Sequence, residues 1–213
     1  IYKKYKHIGE IYELTDYSQG LHKEFTKNFE ILGGKVSSES FLSDATDMRT
    51  QITKILESNP EAIFVNPNTP IAGLIIIKEV RELGFQGQIY GNFFGSAPEV
   101  VESEAGQGMI FFSEPTIEEN KIKRDLFEKY KERYGKEPSF SYPVAARYDI
   151  VYILGEAIDF CNTDADTACI KEYIYQMKDF NGALGTYSFD ERGDIVGVKP
   201  SVVIIEGGKT RNL

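Results

Sequence analysis

"EIYELTDYSQGLHKEFTKNFEILGG", Glu10–Gly34, holds the pattern that decides the fold. The stretch from His7 to Glu13 reads as a strand. The polar "TDYSQG" follows, and Leu21, Phe25, Phe29 and Leu32 then recur at helical spacing until Gly33-Gly34 stops the helix. A strand, a polar loop and an amphipathic helix form the first half of a βαβ unit. The loop can do either of two things: turn the chain, or touch a ligand.

Working outward, the same rhythm repeats. "KVSSESFL" (35–42) is a second strand, and Thr46 or Asp47 stands where a cap is expected for a helix carrying Met48, Ile52, Ile55 and Leu56 on one face. That helix ends at Asn59-Pro60. "EAIFVN" (61–66) is nearly all apolar, as a strand buried on both faces should be. A helix over about 70–83 stops at Gly84, "QIYGN" (88–92) makes a fourth strand, a short helix covers 98–104, and "QGMIFFSEP" (107–115) supplies a fifth strand. Five strands joined by helices predict an α/β lobe with a doubly wound parallel sheet.

Beyond Pro115 helices follow one another, over about 118–134, 142–160 and 166–179. They are followed by a hairpin, "GTYSFDERGDIVG", turning near Arg192-Gly193, and a last strand, "SVVIIEGGK". The middle helix, "SYPVAARYDIVYILGEAIDF", is apolar around most of its circumference and predicts burial on several sides. Leaving half of its large apolar side chains in water would cost on the order of 10 kcal/mol, as much as the net stability of a domain. These helices lack a sheet of their own, so a cover is expected that the sequence does not obviously contain.

Composition narrows the function. Thirty-three acids against twenty-four bases give a net charge of -9, which repels a polyphosphate backbone and excludes nucleic acid as a partner. The longest apolar run, "GLIIIKEV", is interrupted by Lys78, so no direct membrane insertion is expected of this segment. The mixed charges of "EENKIKRDLFEKYKERYGKE" read as a solvated helix face. No export signal is visible ahead of the first strand, which fits a mature chain or a fragment. Cys161 and Cys169, in "DFCNTDADTACIKEY", are the only cysteines; they either close the interhelical loop as a disulfide or remain free thiols. A disulfide would contribute roughly 2 to 3 kcal/mol in the chain-entropy model and would place the chain outside the cytosol. The cysteines lack zinc or CxxC spacing, and His7 and His22 lie far from them, so no metal is expected.

The sequence has no GxGxxG, GxxxxGK[ST], GxSxG or HExxH, and Asn66 stands where a phosphoacceptor lobe needs Asp. No catalytic residue and no cofactor are therefore assigned. In a doubly wound sheet, ligands bind beyond the carboxyl ends of the strands where the strand order reverses. That edge gathers "TDYSQG", "NPNTP" and "GNFFGS". Asp16 and Ser18 can serve as caps, whereas Tyr17 between them has no capping role. Thr69 can cap the helix that opens at Pro70, and Phe93 and Phe94 are either ligand contacts or core. The candidate ligand-binding residues are Tyr17, Asn66, Asn68, Thr69, Phe93 and Phe94.

Taken in order, "HIGEIYELTDYSQGLHKEFTKNFEILGGKV", "DMRTQITKILESNPEAIFVNPNTPIAGLIIIKEVRELGFQGQIYG", "GMIFFSEP", "YPVAARYDIVYIL" and "GTYSFDERGDIVG" resemble the periplasmic solute-binding proteins of branched-chain amino-acid type. These are the type I binding proteins of ABC transporters, the Leu/Ile/Val-binding family. The resemblance implies two doubly wound lobes that close on a ligand. Residues 1–115 would form the second lobe, 116–182 the helical part of the first, and 183–213 strands returning across the hinge. The opening βαβ repeats of the first lobe have no counterpart here. The resemblance also implies a periplasmic or extracellular location, a small-molecule ligand and an ABC permease as partner. A ligand-sensing module of a signalling receptor is the alternative role of the same fold. Tyr17 matches an aromatic ligand contact of the family, and Asn66 to Thr69 match a second contact loop. An acid expected for an amino-acid ammonium is replaced by Asn92-Phe93-Phe94, which turns the expectation toward an apolar or aromatic solute.

Overall fold

The first strand, β1 (His7–Glu13), is buried along most of its length, and the Thr15 hydroxyl behind it accepts the Ser18 N–H at 3.3 Å to start α1 (Asp16–Ile31). Thr15 is thus the cap, in place of Asp16 or Ser18. The computed structural model describes residues 5–115, 117, 119–138 and 140–213. The chain divides into two units, 1–113 with 201–213, and 114–200.

Unit 1 continues with β2 (Lys35–Phe41), α2 (Arg49–Glu57), β3 (Ala62–Asn66), α3 (Pro70–Glu82), β4 (Gln88–Gly91), a 3-10 turn (Phe93–Ser96), α4 (Pro98–Val101) and β5 (Ile110–Ser113). It closes with β9 (Ser201–Glu206) and β10 (Lys209–Asn212). The sheet order is β10-β9-β5-β4-β3-β1-β2, with β1 to β5 parallel and β9 and β10 antiparallel additions. The parallel, doubly wound α/β lobe expected from the sequence is present, and its order reverses between β1 and β3.

Three local expectations are corrected. Met48, not Thr46 or Asp47, occupies the N-cap of α2, and its N–H is taken at 2.9 Å by Glu79, a buried carboxylate on α3. "SVVIIEGGK" is not one strand: Gly207 and Gly208, with φ of 61° and 73°, form the two-residue turn of a β9–β10 hairpin. β5 is shorter than the 107–115 expected.

Unit 2 holds α5 (Lys121–Tyr134), α6 (Ser141–Cys161) and α7 (Thr167–Gln176), then β6 (Phe180–Gly182), β7 (Gly185–Phe189) and β8 (Ile195–Val196) in one small antiparallel sheet. Residue 118, where α5 is expected to begin, lies outside the described residues. Asp149, buried on α6, accepts the N–H groups of Ala183 (2.6 Å) and Leu184 (3.0 Å) and the Tyr187 hydroxyl (3.2 Å). One carboxylate therefore staples α6 to the β6–β7 hairpin, and burial, followed by the charge and hydrogen bond of Asp149, pushes the Tyr187 hydroxyl up. A disulfide joins Cys161 to Cys169, between α6 and α7. Burial of α6 on several sides is not observed. It buries Ala145, Asp149, Ile153 and Ala157 and leaves Ile150, Val151, Tyr152, Leu154 and Phe160 in the open.

Candidate functional site

Because β1 and β3 are neighbours whose following helices diverge, the loops after β1, β3 and β4 meet at the carboxyl edge of the sheet. Beneath them lies a ladder of buried amides. Asn66, the last residue of β3, donates from Nδ2 to the Ser18 carbonyl at 2.9 Å and to Glu10 Oε1 at 3.3 Å. Its Oδ1 accepts from Asn92 Nδ2 at 3.0 Å, and the same Nδ2 donates to the Pro67 carbonyl at 2.7 Å. Asn92 Oδ1 in turn accepts the Phe94 N–H at 3.1 Å. Ser18 lies in the first turn of α1, Pro67 follows β3 and Phe94 lies in the 3-10 turn after β4, so two asparagines fix all three segments relative to one another. Glu13, ending β1, adds a further tie by accepting the Asn68 N–H at 2.7 Å.

Above this floor, Tyr17 and Phe93 meet edge to face with ring centroids 5.6 Å apart. Tyr17 is 47% exposed, and partial burial pushes its hydroxyl up. Asn68 and Thr69 are exposed beside them, and the Thr69 hydroxyl accepts the Ala72 N–H at 3.3 Å as the cap of α3. The structure thus brings Tyr17, Phe93, Asn68 and Thr69 to the surface of one loop cluster and places Asn66 and Phe94 inside. Phe94 fills a slot between α3 and β4, where a Cβ on Gly73 or Gly91 would run into its ring. An aromatic pair beside amide and hydroxyl groups can stack on and hydrogen-bond a small molecule. Among the described residues, no three His, Cys, Asp or Glu side chains are grouped to hold a metal ion.

The sequence assigns no role to Glu10 or Glu13, marks His22 only as remote from the cysteines, and marks Asn92 only as standing where an acid is expected. Glu10 and His22 pair at 2.6 Å, with Tyr12 stacked on the imidazole at 4.1 Å. One signal was available: Glu10 interrupts an otherwise apolar face of "HIGEIYE", and a carboxylate in a sheet buried on both sides needs a partner.

The profile of a family described as periplasmic binding protein matches residues 3–203. A Leu/Ile/Val-binding protein homolog of Brucella melitensis is 21% identical over 196 residues, covering 90% of this chain and 52% of its own length. The structure of leucine binding protein LivK from Thermotoga maritima superposes with a TM-score of 0.78 at 31% identity, over 98% of this chain and 60% of that one. The branched-chain amino-acid transporter substrate binding protein LivJ of Streptococcus pneumoniae, in complex with isoleucine, shares the fold with a TM-score of 0.66 at 24% identity, over 97% of this chain and 59% of that one. The chain thus spans between half and two thirds of the length of these relatives.

Proposed function

The chain belongs to the periplasmic binding protein family, and from that premise we propose that it is the solute-holding part of a receptor that captures a small organic molecule or amino acid outside the cytosol and delivers it to a membrane ABC transporter. The observation that carries this function is the meeting of three loops over the Asn66–Asn92 ladder, with Tyr17 and Phe93 paired at their surface. Tyr17, Phe93, Asn68 and Thr69 touch the solute, while Asn66 and Phe94 hold the loops from below. The disulfide between Cys161 and Cys169 supports a location outside the cytosol. The open apolar face of α6 supports a second lobe to which unit 2 contributes helices and whose sheet covers them.

Titration with leucine, isoleucine, valine and compact aromatic solutes tests the proposal through thermal melting. A true ligand at a hundredfold excess over Kd stabilises the protein by roughly 2.7 kcal/mol. Failure of every such solute to raise the melting temperature, both in this chain and in a two-lobed form, would remove the receptor function.

A further inference from the structure

Glu10 touches no part of the solute-facing surface, yet it lies at the root of the amide ladder beneath it. It is fully buried on β1, where β2 sets Ser38 beside it and β3 sets Phe64, neither able to carry charge. α1 brings the titratable partner: His22 Nδ1 stands 2.6 Å from Glu10 Oε2, with Thr26 Oγ1 3.4 Å from the same nitrogen. Tyr12, stacked on the imidazole, is the other titratable group there. On the opposite face of β1, α2 packs Ile55 over Gly9 and adds no charge. Burial pushes the Glu10 carboxyl up, while its hydrogen bonds to His22 and Asn66 pull it back down.

We propose that Glu10 and His22 are positioning residues for the site: the protons held by this pair decide which way the Asn66 amide faces, and Asn92 passes that choice to the loop bearing Phe93. This rests on the assignment of these loops to the solute. The two ends of an amide are not interchangeable, one donating and the other accepting. With Glu10 ionised, Oε1 accepts from Asn66 Nδ2, which leaves Asn66 Oδ1 for Asn92 Nδ2 and Asn92 Oδ1 for the Phe94 N–H. A single proton shared by the pair fits between Oε2 and Nδ1 and leaves Oε1 an acceptor. A second proton has no such place. With His22 donating to Oε2, it must sit on Oε1, where an O–H meets the Asn66 N–H. Two donors facing each other in a site closed to water are unfavourable, and turning Asn66 over relieves that clash. Its Nδ2 then meets Asn92 Nδ2, and the misfit reaches Phe94 and its neighbour Phe93. The loops are therefore aligned while Glu10 is ionised and loosened once the pair is doubly protonated.

The test follows the Glu10 carboxyl, the His22 imidazole and the Tyr17 and Phe93 rings by NMR, without solute, from about pH 7.5 to about pH 4. Glu10→Gln, made together with His22→Gln so that no imidazolium can turn the new amide over, keeps an acceptor for Asn66 but cannot take the second proton. Asn92→Asp can still accept the Phe94 N–H but, when ionised, no longer donates to Asn66. In the wild-type protein the two rings are expected to shift with the midpoint of the Glu10 carboxyl. Both rings should hold still in this double variant, and in Asn92→Asp they should no longer follow Glu10. Rings that stay still in the wild type, or move equally in the double variant, overturn the proposal. Should the double variant fail to fold, Asn92→Asp carries the same decision. L-Leucine serves as the probe in a second arm, with affinity expected to fall about tenfold over the same range in the wild type and less than about twofold in the double variant. Leucine affinity independent of pH in the wild type overturns the coupling. Absence of leucine binding at every pH, with the ring titration intact, counts against leucine as the solute and upholds the positioning pair.

Discussion

α3 and α6 are both strongly apolar helices, and they end up in opposite circumstances. α3, "PIAGLIIIKEVRE", is packed in unit 1 with Gly73, Ile76, Ile77, Glu79 and Val80 buried, its apolar face closed against the sheet and α2. α6, with 21 residues against 13, is held by one narrow face, and Val151 and Phe160 are 68% and 69% exposed. An apolar helix thus announces how much surface has to be covered without naming the cover. Unit 1 contains its own cover; in unit 2 a buried carboxylate and a disulfide hold the helix instead.

The largest effects come from attacking each unit at its own anchor. Phe94→Ala leaves an empty slot between Gly73 and Gly91 and should destabilise unit 1 by about 3 to 5 kcal/mol. Hydrogen exchange should then show lost protection on β3 and β4 while β7 keeps its own. Asp149→Ala strips the acceptor from two backbone N–H groups and the Tyr187 hydroxyl and should destabilise unit 2 by about 3 kcal/mol, with the reverse pattern of exchange. Loss of protection in both units from either substitution would break the comparison, since they would then unfold as one. Replacing Cys161 and Cys169 by Ser should remove roughly 2 to 3 kcal/mol from unit 2 alone, measured by urea unfolding.

Smaller effects sharpen the contrast. Val151→Lys should change stability by less than about 0.5 kcal/mol, because its side chain is 68% exposed, while lowering binding of a hydrophobic dye to unit 2. The corresponding change on α3, Ile76→Lys, should prevent unit 1 from folding. The smallest expected effect is a pH slope. Burial raises the Glu79 carboxyl above its ordinary value of 4.5, so the folded protein holds that proton more tightly than the unfolded chain. The stability this contributes is fully present below the unfolded value and is lost as the pH rises through the folded one. Stability of the wild type relative to Glu79→Gln should therefore decline from about pH 4 to about pH 7 in urea titrations.

The parallel sheet was legible because its signals are local. "AIFVN" is buried at every position, and α1 and α3 run out just before Gly33 and Gly84, each with positive φ. β10 was missed because "KTRN" is polar throughout and wholly exposed, an edge strand with no apolar alternation to find. The α2 cap was misread because its partner, Glu79, comes from another helix. The site shows the same division. Tyr17 stands out in the sequence because no capping or core pattern claims it. The inward turn of Phe94 depends on Gly73 and Gly91, and the work of Asn66 depends on Glu10 and Asn92. Such roles arise only once distant segments meet.

Ser113, where the chain leaves unit 1, and Ser201, where it re-enters, are register partners on antiparallel neighbours, β5 and β9. Two adjacent antiparallel strands can be joined by a turn of two residues. Topologically, the whole segment 114–200 therefore occupies the place of a hairpin loop. Unit 1 would need only an Asn-Gly turn in its stead to close as an uninterrupted seven-stranded sheet, which makes the inserted segment removable without severing a single ladder bond.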